Sequence, residues 1–165
     1  MDLFILRHGE AGKRSTNPGS DGERTLTSKG RKEVEAVAES FSGLGIKFDS
    51  ILTSPLNRAH ETAEIFSKTL RNKNGIADWE ELKPEGSRPE FYKKLSEFKP
   101  ESNLLVVGHE PYLTNMINDI IDTNGNGYIA LKKSGLARVR VTSLSPKIRG
   151  ELRWLLTPKL LKKLS

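Results

Sequence analysis

Two unbroken apolar runs, Leu3-Phe4-Ile5-Leu6 and Leu104-Leu105-Val106-Val107, constrain the fold more than any other feature of the chain. A strand with one wet face alternates apolar and polar residues, whereas a short run that is apolar at every position has to be covered on both faces. Ile51-Leu52, entered through Phe48, has the same character. Between these runs the spacing turns helical. Val34, Val37, Ala38 and Phe41 follow Thr27-Ser28, which read as N-caps, and the pattern stops at Gly43 and Gly45. Ser54-Pro55 reads as a cap followed by proline at the first helical position, with Ala59, Ala63, Phe66 and Leu70 along one face. Pro111 opens a third helix whose apolar side is Leu113, Met116, Ile117, Ile120 and Ile121. Strands alternating with helices across short turns predict crossover units, hence an α/β fold in three α/β/α layers with a mainly parallel sheet.

The last third follows another rhythm. Leu136 to Val141 alternates with period two, and Glu151 to Leu156 follows after a turn containing Pro146 and Gly150. The pair predicts an antiparallel hairpin at the sheet edge, wet on one side. From Gly75 to Pro100 the pattern is weakest: Arg88 to Phe98 reads as a helix and the segment before it as a loop. With 165 residues and no linker or repeat, the chain is expected to form a single domain over 1–165.

Composition excludes several classes of function. There is no cysteine, which removes disulfides, thiol nucleophiles and thiolate metal sites. No apolar run approaches the ~20 residues that span a bilayer, and the interrupted apolar start does not read as a signal peptide, so a cytoplasmic location is expected. The 27 basic and 21 acidic side chains leave a net charge of +6, which favours anionic partners. No basic stretch studded with aromatics points to nucleic acid. The lysines at 159, 162 and 163, set around Leu160, Leu161 and Leu164, read as the solvated face of a short terminal helix rather than a membrane contact.

The chemistry gathers where strands end. Arg7-His8-Gly9 closes the first apolar run, Gly108-His109 closes the last, and Ser54 to Arg58 follows the middle one. In an open parallel sheet, ligands bind beyond the carboxyl ends of the strands. Segments remote in sequence therefore deliver two imidazoles and two guanidiniums, those of His8, His109, Arg7 and Arg58, to one edge. Guanidiniums bind phosphate through charge-assisted forks, and a neutral imidazole can accept a phosphoryl group. The flanking arginines disfavour protonation of His8 and keep its lone pair available. His60 lies two positions past Arg58 on another side of the same helix and reads as a surface residue. Glu10 and Glu110 beside the histidines raise the question of a metal, but two arginines repel a divalent cation and no helical ligand spacing is present, so neither metal nor cofactor is expected.

Phe4-Ile5-Leu6-Arg7-His8-Gly9-Glu10-Ala11 resembles the signature of the histidine phosphatase superfamily, which includes phosphoglycerate mutases and many phosphatases. The resemblance continues through Arg24-Thr25-Leu26-Thr27-Ser28-Lys29-Gly30, through Ser54-Pro55-Leu56-Asn57-Arg58-Ala59-His60-Glu61-Thr62-Ala63, and through Leu105-Val106-Val107-Gly108-His109-Glu110-Pro111. It implies a phosphoglycerate mutase-like fold in which His8 is phosphorylated while Arg7, Arg58 and His109 hold the phosphoryl group and Arg24 reaches the pocket mouth. The chain leaves little room for the inserted helical cap of the mutases and sugar bisphosphatases. Its short form, with Glu81-Leu82-Lys83-Pro84-Glu85-Gly86 and Trp154-Leu155-Leu156-Thr157-Pro158, is similar to the SixA-type phosphohistidine phosphatases. One departure is Thr25, where that branch commonly has proline. The resemblance implies a hydrolase open to a phosphorylated protein, such as a histidine phosphotransfer domain; a monomer is expected. A small phosphoester substrate and a non-catalytic phosphate-binding module are the alternatives. Glu80, Glu81 and Glu85 are the carboxyls positioned to protonate a leaving group, with Glu81 taken as a substrate-binding residue.

Overall fold

The computed structural model describes residues 1–13, 18–123 and 129–163. Six strands form one sheet: β1 (Asp2–Arg7), β2 (Ser50–Thr53), β3 (Ile76–Asp78), β4 (Asn103–Gly108), β5 (Leu136–Ser143) and β6 (Arg149–Leu156), in the order β3-β2-β4-β1-β5-β6. β3, β2, β4 and β1 run parallel, whereas β5 pairs antiparallel with both β1 and β6. Helices α1 (Ser28–Ser42), α2 (Asn57–Thr69), α3 (Arg88–Lys94), α4 (Tyr112–Ile121) and α5 (Pro158–Leu161) complete the fold.

The two faces of the sheet explain the unbroken apolar runs. Successive side chains of a strand point to opposite sides. Accordingly Leu3, Ile5, Leu52, Leu104 and Val106 join the core beneath α3 and α4, while Phe4, Leu6, Ile51, Leu105 and Val107 join the core beneath α1 and α2. The second core is built around aromatic rings, with Phe4 edge-on to Phe41 and Phe48 at 5.7 and 5.2 Å between centroids. Leu161 of α5 is buried in the same core, so the lysine-rich end is anchored by one apolar residue. That helix is only four residues long, and Leu164 lies outside the described residues. At the sheet margin the expected hairpin is present, with β6 as its exposed outer strand.

Three local readings change. The Ser54-Pro55 pair does not cap α2, which starts at Asn57 with Leu56 in the cap position and no side-chain capping bond. The helix expected over 88–98 stops at Lys94 and tightens into a 3₁₀ turn at Leu95–Glu97. Within the segment read as a loop lies β3, a three-residue edge strand.

The start of α1 fixes the loop that carries His8. The Thr27 hydroxyl caps this helix by accepting from Gly30 N–H, and the Thr27 N–H donates to the Glu10 carbonyl at 2.9 Å. At Gly30 the helix passes so close to Glu10 that a Cβ would lie 2.1 Å from the Glu10 carbonyl oxygen. Only glycine fits this crossing. Gly30→Ala is expected to cost about 2 kcal/mol or more, because backbone rather than a flexible side chain must move, with activity falling in parallel as the His8 loop shifts. Thermal unfolding of the variant checks it.

Candidate active site

Strand register alone brings the key residues together. Arg7 pairs with Gly108 and Thr53 with Val107 across adjacent parallel strands. His8, His109 and Ser54, each just beyond or beside these positions, therefore emerge at the same sheet edge. The two imidazoles lie 5.0 Å apart between ring centroids and are nearly buried, at 8% exposure for His8 and 2% for His109.

His8 is held at both backbone and ring. Its N–H donates to the Gly108 carbonyl at 3.1 Å, and its Nδ1 lies 2.7 Å from the Gly9 carbonyl oxygen. A carbonyl can only accept, so Nδ1 carries the proton and Nε2 is left with its lone pair. Gly9 is pinned in turn: its N–H donates to Thr62 Oγ1 at 3.1 Å, and that hydroxyl donates to the Arg58 carbonyl. Burial, opposed by the Gly9 hydrogen bond and reinforced by the charges of Arg58, Arg7 and Lys133, pushes the His8 imidazole down to about 4. The ring is neutral at physiological pH.

His109 is neutral for related reasons. Burial first, and then the neighbouring His8 and Arg58, push it down to about 2. Its Nε2 lies 2.8 Å from Ser54 Oγ, which also accepts from the Leu56 N–H. Its Nδ1 is buried without a partner among the described residues. The hydroxyl that a local reading assigns to a helix cap is thus engaged across 55 residues of sequence with an imidazole.

Arg58 occupies the first turn of α2 and is 3% exposed. Its Nη1 donates to the Asp21 carbonyl at 2.8 Å and its Nη2 to the Asp21 carboxylate at 3.1 Å. The same carboxylate forms an ion pair with Arg24, its oxygen 2.8 Å from Nε, and Arg24 Nη1 donates to the Gly12 carbonyl. Asp21 therefore joins two guanidiniums near the histidines. Arg7, at the end of β1, donates from Nη1 to the Leu131 carbonyl at 2.9 Å, while its Nε is buried with no partner among the described residues.

The acidic candidates are not alike. Glu81 ion-pairs with Lys94 at 2.7 Å, which holds its carboxyl below the usual range, and Glu80 ion-pairs with Lys83 at 2.6 Å. Glu81, so held, is a poor proton donor. Glu110, directly after His109, is pushed up by burial, and its Oε1 is buried without a partner among the described residues. His60 turns away from the cluster to bond Asp78 of β3 at 2.7 Å. Among the described residues, no group of three or more His, Cys, Asp or Glu is placed to hold a metal ion.

Residues 3–85 match the histidine phosphatase superfamily (branch 1). The chain belongs to the histidine phosphatase superfamily. The SixA homolog of Haemophilus influenzae, a phosphohistidine phosphatase, is 33% identical over 131 residues, covering 73% of this chain and 77% of that protein. The mouse mitochondrial serine/threonine-protein phosphatase PGAM5 is 32% identical over 100 residues, 61% of this chain but 33% of its own length. Among solved structures, the protein histidine phosphatase SixA complexed with tungstate superposes with a TM-score of 0.84 at 26% identity, covering 98% of this chain and 99% of that one. Like other members of the superfamily, the chain is a hydrolase, a phosphatase working through a histidine.

The structure brings together the histidines and arginines singled out in the sequence, whereas the residues that orient them carry no such signal. Asp21, Ser54 and Thr62 are ordinary polar residues in their local context and gain meaning only through contacts distant in sequence. In sequence Glu110 stands out only as a carboxylate beside a histidine, the arrangement of a metal ligand. A larger cavity, about 700 Å³, lies between α3, α4 and the β5–β6 turn, bordered by Arg88, Asp119, Asp122 and Lys147. Its charges are already paired, Arg88 with Asp119 and Lys147 with Asp122.

Proposed function

We propose that the enzyme removes the phosphoryl group from phosphohistidine on a protein, with His8 as the nucleophile. The observation that carries this reading is the fixed tautomer of His8: the Gly9 carbonyl takes Nδ1–H and leaves Nε2 unprotonated beside Arg58 and His109. In the first step the Nε2 lone pair attacks phosphorus, a P–Nε2 bond forms, and the P–N bond of the substrate breaks as its imidazole departs. In the second step water attacks phosphorus, the P–Nε2 bond breaks, and inorganic phosphate leaves with the water's oxygen. Arg58 and Arg7 neutralise the equatorial phosphoryl oxygens in both steps. With Ser54 donating its hydroxyl hydrogen to Nε2 of His109, the Nδ1–H of that ring is the donor that meets a phosphoryl oxygen. Arg24, tied to Arg58 through Asp21, stands farther out and receives the incoming chain.

An imidazole protonated on its distal nitrogen leaves neutral, whereas an alkoxide needs an acid. Glu110, pushed up by burial, is a better candidate for that acid than Glu81, which Lys94 holds down. The two substrate classes are separated by comparing kcat/KM for a phosphorylated histidine phosphotransfer domain with that for an alkyl phosphate, with and without a chelator. Faster turnover of the phosphoprotein, unchanged by chelation, is expected; faster alkyl ester hydrolysis or strict metal dependence contradicts the proposal. A cytoplasmic monomer is part of this proposal; separately, among the described residues no helix is long and apolar enough to cross a membrane.

The pH dependence follows from His8. Only the neutral ring attacks, and its value is depressed to about 4. The acid limb of kcat/KM, which reports the free enzyme, is therefore expected as pH falls through about 4 rather than through the ordinary imidazole range near 6.5. A limb near 6.5 in a pH–rate profile contradicts the environment described for this residue.

A further inference from the structure

Beside His8 opens a cleft of about 600 Å³ bordered by Arg7, Lys132, Lys133 and Lys159, together with Glu33, Thr157 and Pro158. Its charge is strongly one-sided. Glu33 ion-pairs with Lys162 at 3.7 Å, while Lys132, Lys133 and Lys159 are exposed, with Glu10 the acidic group near enough to act on Lys133. The cleft is continuous with the catalytic centre, because Arg7 belongs to both and Lys133 is close enough to lower the His8 imidazole.

The lysines are also held in place. Lys132 and Lys133 ride on a tight turn between Leu131 and Gly135, closed by Gly135 N–H to the Lys132 carbonyl at 2.8 Å. The turn is fastened to the end of β1 by four contacts: Ser134 N–H reaches the carbonyls of Arg7 and His8 at 3.1 and 3.3 Å, Arg7 N–H donates to the Gly135 carbonyl at 3.1 Å, and Arg7 Nη1 reaches the Leu131 carbonyl. Ser134 is buried and adopts a left-handed backbone, φ 56°, a conformation that costs a non-glycine residue energy and persists only where its surroundings enforce it. Opposite the turn, Thr157 caps α5 and sets Lys159 on the other bank. A solvated lysine pair needs no such anchorage.

We propose that this cleft docks an acidic surface of the phosphoprotein substrate, a row of Asp or Glu side chains flanking the phosphorylated residue. The inference deepens the assignment of a protein substrate and rests on it. A small phosphoester needs only the groups around His8 and Arg58, whereas a protein delivering its side chain to His8 lays the surrounding surface against the cleft. Complementary charge of this kind accelerates encounter by 10- to 1,000-fold and fades with salt.

The test compares wild type with a Lys132→Glu/Lys159→Glu variant, leaving Lys133 and Arg7 intact. Two substrates are used, a phosphorylated histidine phosphotransfer domain with an acidic surface and free phosphoimidazole. The expected result is a loss of roughly tenfold in kcat/KM for the phosphoprotein at low ionic strength, carried by KM, with phosphoimidazole turnover within about twofold. The difference should close near 0.5 M salt, where the screening length is only a few ångströms. Unchanged phosphoprotein kinetics, or an equal loss on both substrates, overturns the docking role while leaving the assigned reaction standing. Wild type that hydrolyses phosphoimidazole but not the phosphoprotein removes the protein-substrate reading itself. Salt-sensitive binding of a duplex oligonucleotide, lost in the variant while phosphoprotein kinetics stay unchanged, reassigns the cleft to nucleic acid and also overturns it.

Discussion

Replacing His8 by alanine is expected to reduce phosphatase turnover by roughly 10⁴-fold or more, as loss of a covalent nucleophile does elsewhere, and to abolish labelling of the protein by substrate phosphate. The size of the effect follows from the geometry. His8 Nε2 carries the available lone pair because Nδ1–H is committed to Gly9, whereas His109 directs its own Nε2 to Ser54. His109 has been given a different task by the same kind of contact, so it is not expected to substitute for the missing ring. The fold should survive. His8 lies just beyond the end of β1, where its backbone N–H bond to Gly108 is kept by alanine, and unfolding measurements on the variant should stay close to wild type. Rescue of phosphate release by added imidazole, a free surrogate for the missing nucleophile, would separate a chemical defect from a structural one.

The second large effect is expected at Arg58. Arg58→Ala should lower kcat/KM by about 10²- to 10³-fold, the range for removing one preorganised donor from a site of developing negative charge. Arg58→Lys should recover little of this, because a lysine ammonium cannot reproduce a planar fork already oriented by two bonds to Asp21. The two substitutions differ in a further way. Arg58 is one of the cations that lower His8; alanine removes that charge and lysine keeps it. The acid limb of the pH–rate profile should therefore move upward in Arg58→Ala and much less in Arg58→Lys. A limb unchanged in the alanine variant would mean that Arg58 does not act on the His8 ring, whatever it does to the phosphoryl group.

The sheet was legible because its central strands are buried on both faces and must be apolar at every position, as in Leu3 to Leu6 and Leu104 to Val107. The same logic hides β3. Three half-buried or exposed residues at a sheet edge, Ile76 to Asp78, carry no periodic signal that a loop lacks. In the site, histidines and arginines stand out because they are placed at strand ends where a ligand would sit. Their supports do not. Ser54 before Pro55 is a reasonable cap in isolation, and only the register of β2 against β4 reveals that His109 competes for its hydroxyl. Glu81 was attractive by position alone; Lys94, which holds it as a carboxylate, enters from a different element. Thr62 and Asp21 act on His8 and Arg58 through contacts spanning 53 and 37 residues, distances over which local pattern carries no information. Residue chemistry was thus visible in the sequence, while the hydrogen bonds that set protonation and orientation needed the fold.

The central claim concerns a single atom, Nε2 of His8. Rapid acid-free quenching during turnover of a phosphorylated histidine phosphotransfer domain, followed by phosphorus NMR and peptide mapping of the trapped enzyme, locates the covalent phosphate. Phosphate bonded to Nε2 of His8 is the predicted result. Phosphate on Nδ1, on another residue, or hydrolysis with no phosphoenzyme detectable even when its breakdown is slowed, would contradict it.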